Sequence, residues 1–452
     1  MKPGYTDLIF EMSHTLCQAV LEREPDLAQR VHELDGEVNK ILRRLGLVTV
    51  SLMLAQLSDQ VTLEAKKKGS TIHRAKRIKY SSLFGVVEIL SPYLRNKNTS
   101  SGVRPVKERL GIEHGDRSIA VQRAMSDFGA EESFGQAAKR FQEHYGWTMD
   151  RSAVRREVEK TAVLAQEYVE KRLDATSGDY LQPVATRPGV EQILVELDGS
   201  HLRTGKKMIL EGVELTPKRQ LPKCQRQTDW REVRVGLARP LQELKNRTYV
   251  ARMGKYPEVV RHLVNAAIVQ GMSIRTQVIA LADGGNGLRE ALQQQFPRMT
   301  FILDRPHLKQ HLYAGAEAIG LTGSARHSWV SDKLQLIDLG LVNLAIWQLG
   351  NYQGPGIKRI ANLSQYLQRF SDAVSYEKFV SLGLPIGSGE VESAHRYIPQ
   401  KRLKIPGATW HPDTINPMLA LRIIRANDWW QDFWTQQAAT RALSLRYLTN
   451  YF

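Results

Sequence analysis

Asp198 closes an apolar run at residues 192–197 (QILVEL) and is followed by Gly199 and Ser200. Asp283 stands in Ala282-Asp283-Gly284-Gly285, after a second apolar run at 276–281. Burying an unpaired carboxylate is costly. An acid at such a place therefore either closes a strand with an Asx turn or serves a site. Glu392 lies in Gly387-Ser388-Gly389-Glu390-Val391-Glu392-Ser393, the first turn of an expected helix. The helix dipole favours an acid there, which accounts for either glutamate. It does not account for the Gly-Ser-Gly before them, which implies a close backbone approach. Glu390 and Glu392 stand about 200° apart on a helix, so only one faces a site, and spacing alone does not choose between them. Converging carboxylates hold Mg²⁺, which prefers their oxygens and keeps several waters. Two such ions neutralise the attacking and leaving oxygens of a phosphodiester together. The chemistry expected is metal-dependent hydrolysis or strand transfer.

Other polar groups point elsewhere or nowhere. Asp304-Arg305-Pro306-His307 is a second cluster after an apolar run. His307 and His311 share a helix face, as in a zinc protease, but the sequence His-Leu-Lys-Gln-His lacks the adjacent glutamate such an enzyme needs. Gly284-Gly285-Asn286-Gly287 has neither the Lys-Ser/Thr of a phosphate loop nor a dinucleotide glycine spacing, so no nucleotide cofactor is expected. Trp429, Trp430, Phe433 and Trp434 read as the packing face of a helix.

Elements that could position the acids follow from periodicity. Residues 1 to about 80 read as helical, with a basic run from Lys66 through Lys79. Residues 83–94 are β-branched and aromatic, and 96–102 are turn material, which reads as a hairpin. A helix is expected from Ser133 to about His144. Asp150 then caps a second helix bearing Arg151, Arg155 and Arg156. Helix, Gly-containing turn and basic helix form a helix-turn-helix pattern. Residues 177–189, with Pro183 and Pro188, read as a linker. Short strands ending at Asp198, near Asp283 and before Asp304, with a helix at 287–295, describe an α/β sheet. Such sheets gather their sites at the carboxyl ends of strands. Residues 306–379 are mostly helical, a helix runs from Glu390 to about Gln400, and the tail from Thr414 is helical.

The 452 residues carry a net charge of +16, an excess that favours a polyanion partner, with nucleic acid first. The two cysteines, Cys17 and Cys224, exclude a disulfide framework and a cysteine-only zinc site. No signal peptide is evident, and the apolar stretch 45–55 looks too short to span a bilayer. A soluble, cytoplasmic, nucleoid-associated protein with no membrane partner is expected.

Taken together, the motifs resemble the DDE transposases of bacterial insertion sequences, with an RNase H-like catalytic domain, and the Kra-type insertion-sequence family among them. Leu197-Asp198-Gly199-Ser200 looks like the first-acid motif. Trp230-Arg231-Glu232 and Ala282-Asp283-Gly284-Gly285 resemble the next blocks, and Asp304-x-x-His307 the [Cys/Asp]-x-x-His signature. Leu384-Pro385-Ile386-Gly387-Ser388-Gly389-x-x-Glu392 looks like the third-acid motif, continued by Arg402, Lys404, Gly407 and Trp410. The resemblance covers about residues 80–435. It implies that Asp198, Asp283 and Glu392, not Glu390, hold two Mg²⁺ ions, with Mn²⁺ able to substitute. It implies active-site support from Asp304, His307, Glu390 and His395. Arg151, Arg155 and Arg156 of the helix-turn-helix pattern are expected DNA contacts, and the resemblance adds Arg396, Arg402 and Lys404, with His395 a further candidate.

The implied fold is an α/β RNase H-like core with an all-α insertion, after a mostly helical N-terminal DNA-binding region containing a small β-hairpin. The expected parts are a helical region (1–80), a hairpin (81–115) and a helix-turn-helix region (116–175). The first part of the core (190–311), a helical insertion (312–383) and the rest of the core with its tail helices (384–452) follow. Relatives often carry a cysteine zinc ribbon where Asn96 and Thr99 stand, so no structural zinc is expected. The implied partners are element ends and target DNA, bound by a homodimer or higher assembly. An inactive or domesticated DNA-binding relative, or a nuclease without strand transfer, would share these features.

Overall fold

The structure, a computed structural model, describes residues 5–96, 102–181, 189–209, 224–296 and 298–450. Two compact units divide the chain. The first is Met1–Phe128, Gly135–Val154 and Gln437–Phe452, and the second is Gly129–Phe134 and Arg155–Gln436.

The first unit opens with α1 (Tyr5–Arg23), a 3-10 segment and the long α2 (Leu34–Lys67). Strands β1 (Ser70–Ser82), β2 (Gly85–Asn96), β3 (Gly102–Val103) and β4 (Asp116–Arg117) form a sheet of order β3-β2-β1-β4, with α3 (Pro105–Leu110) between β3 and β4. The expected helix to residue 80 and hairpin at 81–115 are therefore corrected. The helix stops at Lys67, and the hairpin is β1–β2, turning at Leu83-Phe84. The basic run misled because its cations face solvent along a strand whose apolar anchor, Ile78, packs with Val87 and Ile89. Thr99 and most of the turn at 96–102 lie outside the described residues.

Leu47, Val50 and Leu54 of α2 pack on that same core, and Ser58 Oγ donates to the Leu90 carbonyl at 2.6 Å. Gly46 lets Phe84 lie against the helix, since a Cβ there would come within 2.6 Å of the ring. The helical run Arg30–Lys67 is also long and apolar enough to cross a membrane by length and composition. Its centre, residues 45–58, contains the apolar stretch 45–55 and carries no charge.

The helices α4 (Ile119–Glu131), α5 (Phe134–Tyr145) and α6 (Arg151–Asp174) follow. Gly146 takes a left-handed φ of 75° after α5. Asp150 Oδ1 caps α6 by accepting from the Ser152 and Ala153 amides at 2.8 and 3.3 Å. The boundary between the units falls within α6, after Val154.

The second unit is built on a mixed sheet of order β7-β6-β5-β8-β9. Its strands are β5 (Gln192–Ile209), β6 (Cys224–Pro240), β7 (Thr248–Arg252), β8 (Gln277–Ala282) and β9 (Met299–Leu303). β5, β6 and β7 pair antiparallel, whereas β8 and β9 continue the sheet parallel to β5. Val278–Ala282 and Phe301–Leu303 are buried throughout, as strands covered on both faces are. α7 (Tyr256–Val269) contributes Val259, Val260, Leu263 and Ala266 to this core, and α8 (Leu288–Gln295) joins β8 to β9.

After β9 come α9 (Arg305–Ala318), α10 (Gly323–Asp338), α11 (Val342–Gly350), α12 (Ile357–Arg369) and α13 (Tyr376–Ser381). The helical segment expected from residue 306 starts at Arg305, where α9 follows directly on β9 and runs through residue 312 without a break. Tyr376 Oη donates to the Leu303 carbonyl at 3.0 Å, and the Phe301 and Phe370 rings stack 5.9 Å apart, tying this segment to β9.

Next, α14 (Gly389–His395) passes through a π turn at Arg396–Gln400 into α15 (Lys401–Leu403). Pro399, which has no N–H to give an α-helical ladder, sits in that turn. α16 (Pro412–Ala426) and α17 (Trp430–Asn450) end the chain. Trp429, Trp430, Phe433 and Trp434 are all buried, as a packing face requires.

Candidate active site

Three acids follow in line from three adjacent parallel strands. Leu197 pairs with Ala282, and Ala282 with Leu303. Asp198, Asp283 and Asp304 are the next residues on each strand. Neighbouring strands lie about 4.8 Å apart, so the register alone brings the three acids side by side. Asp198 does not end its strand, however. Only the pairing with β8 stops at Leu197, while β5 continues against β6 as far as Ile209.

The third element is α14. Ligand atoms of Asp304, His307 and Glu392 all lie within 4.8 Å of one another. Asp198 and Asp283 stand outside that tight set but act electrostatically on His307. Neither Asp283 nor Glu392 has an ion-pair partner among the described residues. Glu390 points elsewhere. Arg239 grips both of its oxygens at 2.7–3.1 Å, and Arg247 donates to Oε2 at 2.9 Å. Arg239 is itself 3% exposed and also donates to the carbonyls of Pro240 and Leu241. Beside this clamp, Glu196 Oε2 accepts from the Val391 amide at 2.8 Å. Burial pushes the Glu196 carboxyl up to about 8. The sheet therefore holds α14 at two successive residues, Glu390 and Val391, and leaves Glu392 exposed.

Residues 387–389 need another explanation than close backbone approach. A Cβ on Gly389 would meet nothing within 4 Å, and one on Gly387 only ordinary contacts with Pro306 and Asp304. The loop is held by Ser388, whose amide donates to Asp304 Oδ1 at 2.7 Å, and by the Arg305 amide, which donates to the Ile386 carbonyl at 3.0 Å.

Asp304 is thus committed to the scaffold. Its Oδ2 accepts from the His307 amide and pairs with His307 Nδ1. Burial pushes the Asp304 carboxyl up but is outweighed by the His307 imidazole and the two amides, so it ends below the usual range. The Asp304 bond raises His307 to about 9. In the metal-free protein the group of three is therefore one acid, Glu392, beside the Asp304–His307 ion pair.

His395 behaves oppositely. Burial lowers it to about 4, and its Nε2 lies 3.1 Å from the Asp198 carbonyl and 3.3 Å from Oδ2. It is a neutral donor that orients Asp198. Burial raises the Asp198 carboxyl above its ordinary value, and the charges of Asp283 and Asp304 add to this, partly offset by the Gly199 amide.

The raised His307 contributes stability that is whole below 6.5 and lost as pH rises through about 9. The depressed Asp304 contributes stability present above 3.8 and lost as pH falls through its folded value. Imidazole NMR should find His307 titrating near 9, and Asp304→Asn should return it towards 6.5. A wild-type value near 6.5 would show that the ion pair does not form.

The basic candidates divide. Arg396 and Lys404 are exposed, and Lys404 interacts electrostatically with Asp198. Arg151, Arg155 and Arg156 are exposed on α6, where Arg155 pairs with Glu159 at 2.8 Å. Arg402 is corrected. It is 3% exposed, donates to the Gly129 carbonyl, and lies 4.5 Å over Phe134 and 4.8 Å over Trp410. Its guanidinium fills the core and cannot reach DNA. The same burial removes His395 as a DNA contact. Glu196, Arg239 and Arg247 were not singled out from sequence. The one available signal was an acid inside the apolar run 192–197.

The donor set suits a hard divalent cation. Asp198, Asp283 and Glu392 offer carboxylate oxygens, and the cost of keeping Asp198 ionised among other acids is one a cation relieves. Among known proteins, no family model matches the chain. It is similar to a UPF0236 protein in the vanSb 3′ region of Streptococcus gallolyticus, 20% identical over 426 residues, which cover 92% of this chain and 88% of that protein.

Proposed function

We propose that this chain is a DDE transposase of the insertion-sequence type, cutting element ends and joining them to target DNA on an RNase H-like core. The observation that carries this reading is the register that aligns Asp198, Asp283 and Asp304, with Glu392 of α14 within 4.8 Å of Asp304 at the end of that row. A sheet of three antiparallel and two parallel strands is compatible with that core, and the charge of +16 suits a DNA partner.

Asp198, Asp283 and Glu392 would hold two Mg²⁺ ions, which when bound supply the Lewis acidity that activates a water or 3′-hydroxyl and stabilises the leaving oxygen. His395 orients Asp198 from below. His307, cationic at neutral pH, offers a charge-assisted hydrogen bond to a phosphate oxygen beside the acids. Asp304 keeps that imidazole protonated and fixes the loop before α14. No side-chain nucleophile is required, since water and then the 3′-hydroxyl attack.

The test combines the full-length protein, Mg²⁺, duplexes made from the DNA flanking its reading frame and a supercoiled target. Some duplexes carry a pre-nicked 3′ end. Joined product is expected. Cleavage without joining would turn the reading to a nuclease, and neither product to a DNA binder.

A further inference from the structure

Beyond Gly199 and Arg234, β5 and β6 lose their neighbours. The β8 pairing stops at Leu197↔Ala282 and the β7 pairing at Arg234↔Arg252, yet β5 and β6 stay paired to Ile209↔Cys224. The result is a two-stranded ribbon leading away from the acids. Such a ribbon is marginally stable by itself in water. Among the described residues its further strand-like contact is at the β5 edge, where the Gly205 amide donates to the Trp410 carbonyl at 2.9 Å and the Trp410 amide to the Arg203 carbonyl at 3.2 Å.

Alternation along the strands separates two faces. Leu202 and Thr204 of one face are buried. The other carries His201, Arg203 and Lys207 of β5 and Arg226 and Trp230 of β6, all exposed. Arg203 stands directly opposite Trp230, and Lys207 directly opposite Arg226. Like charges directly opposite each other weaken a strand pair; the Thr409 carbonyl, which accepts from Arg226 Nη2 at 3.0 Å, offsets part of that cost, and a bound anion would offset more. Arg203, Lys206 and Lys207 have no ion-pair partner among the described residues. The ribbon's acids are already engaged, Asp229 with Arg231 at 3.5 Å and Glu232 with Arg234. Trp230 is 64% exposed, a large apolar side chain directly opposite Arg203.

We propose that this ribbon is a DNA-gripping arm, seated on the backbone of the duplex whose scissile phosphate lies at Asp198. The proposal rests on the transposase reading for the identity of the polyanion. A strand advances about 3.3 Å per residue, so Arg203 lies roughly 17 Å and Lys207 roughly 30 Å along β5 from Asp198. Successive phosphates along one DNA strand rise about 3.4 Å. The arm therefore meets phosphates about five to nine nucleotides from the cut, and Trp230 packs on sugar or base beside Arg203.

The test is equilibrium binding of the full-length protein to a labelled 30-base-pair duplex in EDTA, followed by anisotropy across a salt series. Arg203→Ala/Lys207→Ala should bind about tenfold more weakly, and its salt slope should be shallower by about two. Trp230→Ala should weaken binding about threefold with the slope unchanged. Unchanged affinity and slope in the double variant would overturn the arm, and unchanged affinity in W230A would remove Trp230 from it. Because no metal is present, this readout is independent of the acids. Lost binding in the double variant with no Mg²⁺-dependent nicking by the wild type would leave the arm standing and sink the transposase reading. Nicking by a wild type whose binding ignores the ribbon would do the reverse.

Discussion

Asp198→Asn is expected to reduce Mg²⁺-dependent nicking and joining by more than about 1,000-fold, roughly 4 kcal/mol of transition-state stabilisation. It should do so while leaving DNA binding intact and raising thermal stability. The two expectations come from one cause. Asp198 carries a carboxyl pushed up by burial and by Asp283 and Asp304. A folded value above the unfolded one means that ionised Asp198 costs stability throughout the neutral range. Asn keeps the shape, and its backbone carbonyl still accepts from His395, but it removes the repulsion. A functional carboxylate held against its own electrostatics shows this opposition of activity and stability. Added Mg²⁺ should raise the melting temperature of the wild type more than that of the variant, since only the wild type has all three acids for the ion to bind. Cleavage retained in Asp198→Asn would sink the assignment of this acid. A variant that is both inactive and destabilised would make Asp198 a structural residue instead.

Parts of this architecture were legible in the sequence because burial writes itself in continuous apolar runs. β8, β9 and the first half of β5 are covered on both faces and read as strands directly. So did the two aspartates that follow β8 and β9. The second half of β5 and the start of β6 did not, because a solvated ribbon has polar residues on its exposed face and few anchors on the other. β1 was lost in the same way, its cations outnumbering Ile78 and Tyr80. The anchoring of α14 was illegible for a different reason. Arg239 and Glu390 are 151 residues apart, and nothing local in either segment announces the other. Arg402 shows the converse error. A cation among other basic residues reads as a phosphate contact, yet two aromatic rings and the Gly129 carbonyl have taken it into the core. The Gly-Ser-Gly before Glu390 was informative through neither its serine nor its glycines, since it is the backbone amide of Ser388, which any non-proline residue would supply, that donates to Asp304.

Glu390 and Glu392, two residues apart on one helix, should separate cleanly by experiment. Glu390→Ala leaves the Arg239 guanidinium buried with only the carbonyls of Pro240 and Leu241 to accept from it. Removing one partner of a buried pair costs about 3 kcal/mol or more, because the remaining charge is stranded. In a unit of this size that is a fall in melting temperature of roughly 6–12 °C. Glu390 is the less buried partner, with a quarter of its side chain exposed, which argues for the lower end. Glu392→Ala deletes an exposed side chain with no ion-pair partner among the described residues, so stability should change by no more than about 0.5 kcal/mol. Its activity should nonetheless fall as far as that of Asp198→Asn. Glu390→Gln keeps an acceptor for Arg239 and should recover part of the lost stability. The outcome that would reverse the assignment is a stable, inactive Glu390→Ala beside an active Glu392→Ala. Glu390 would then be the third acid, reached by a rotation of α14 that breaks the Arg239 clamp. The physical objection to that outcome is the clamp itself: Glu390 would have to leave two guanidinium groups, one of them buried, to serve a site where Glu392 already stands.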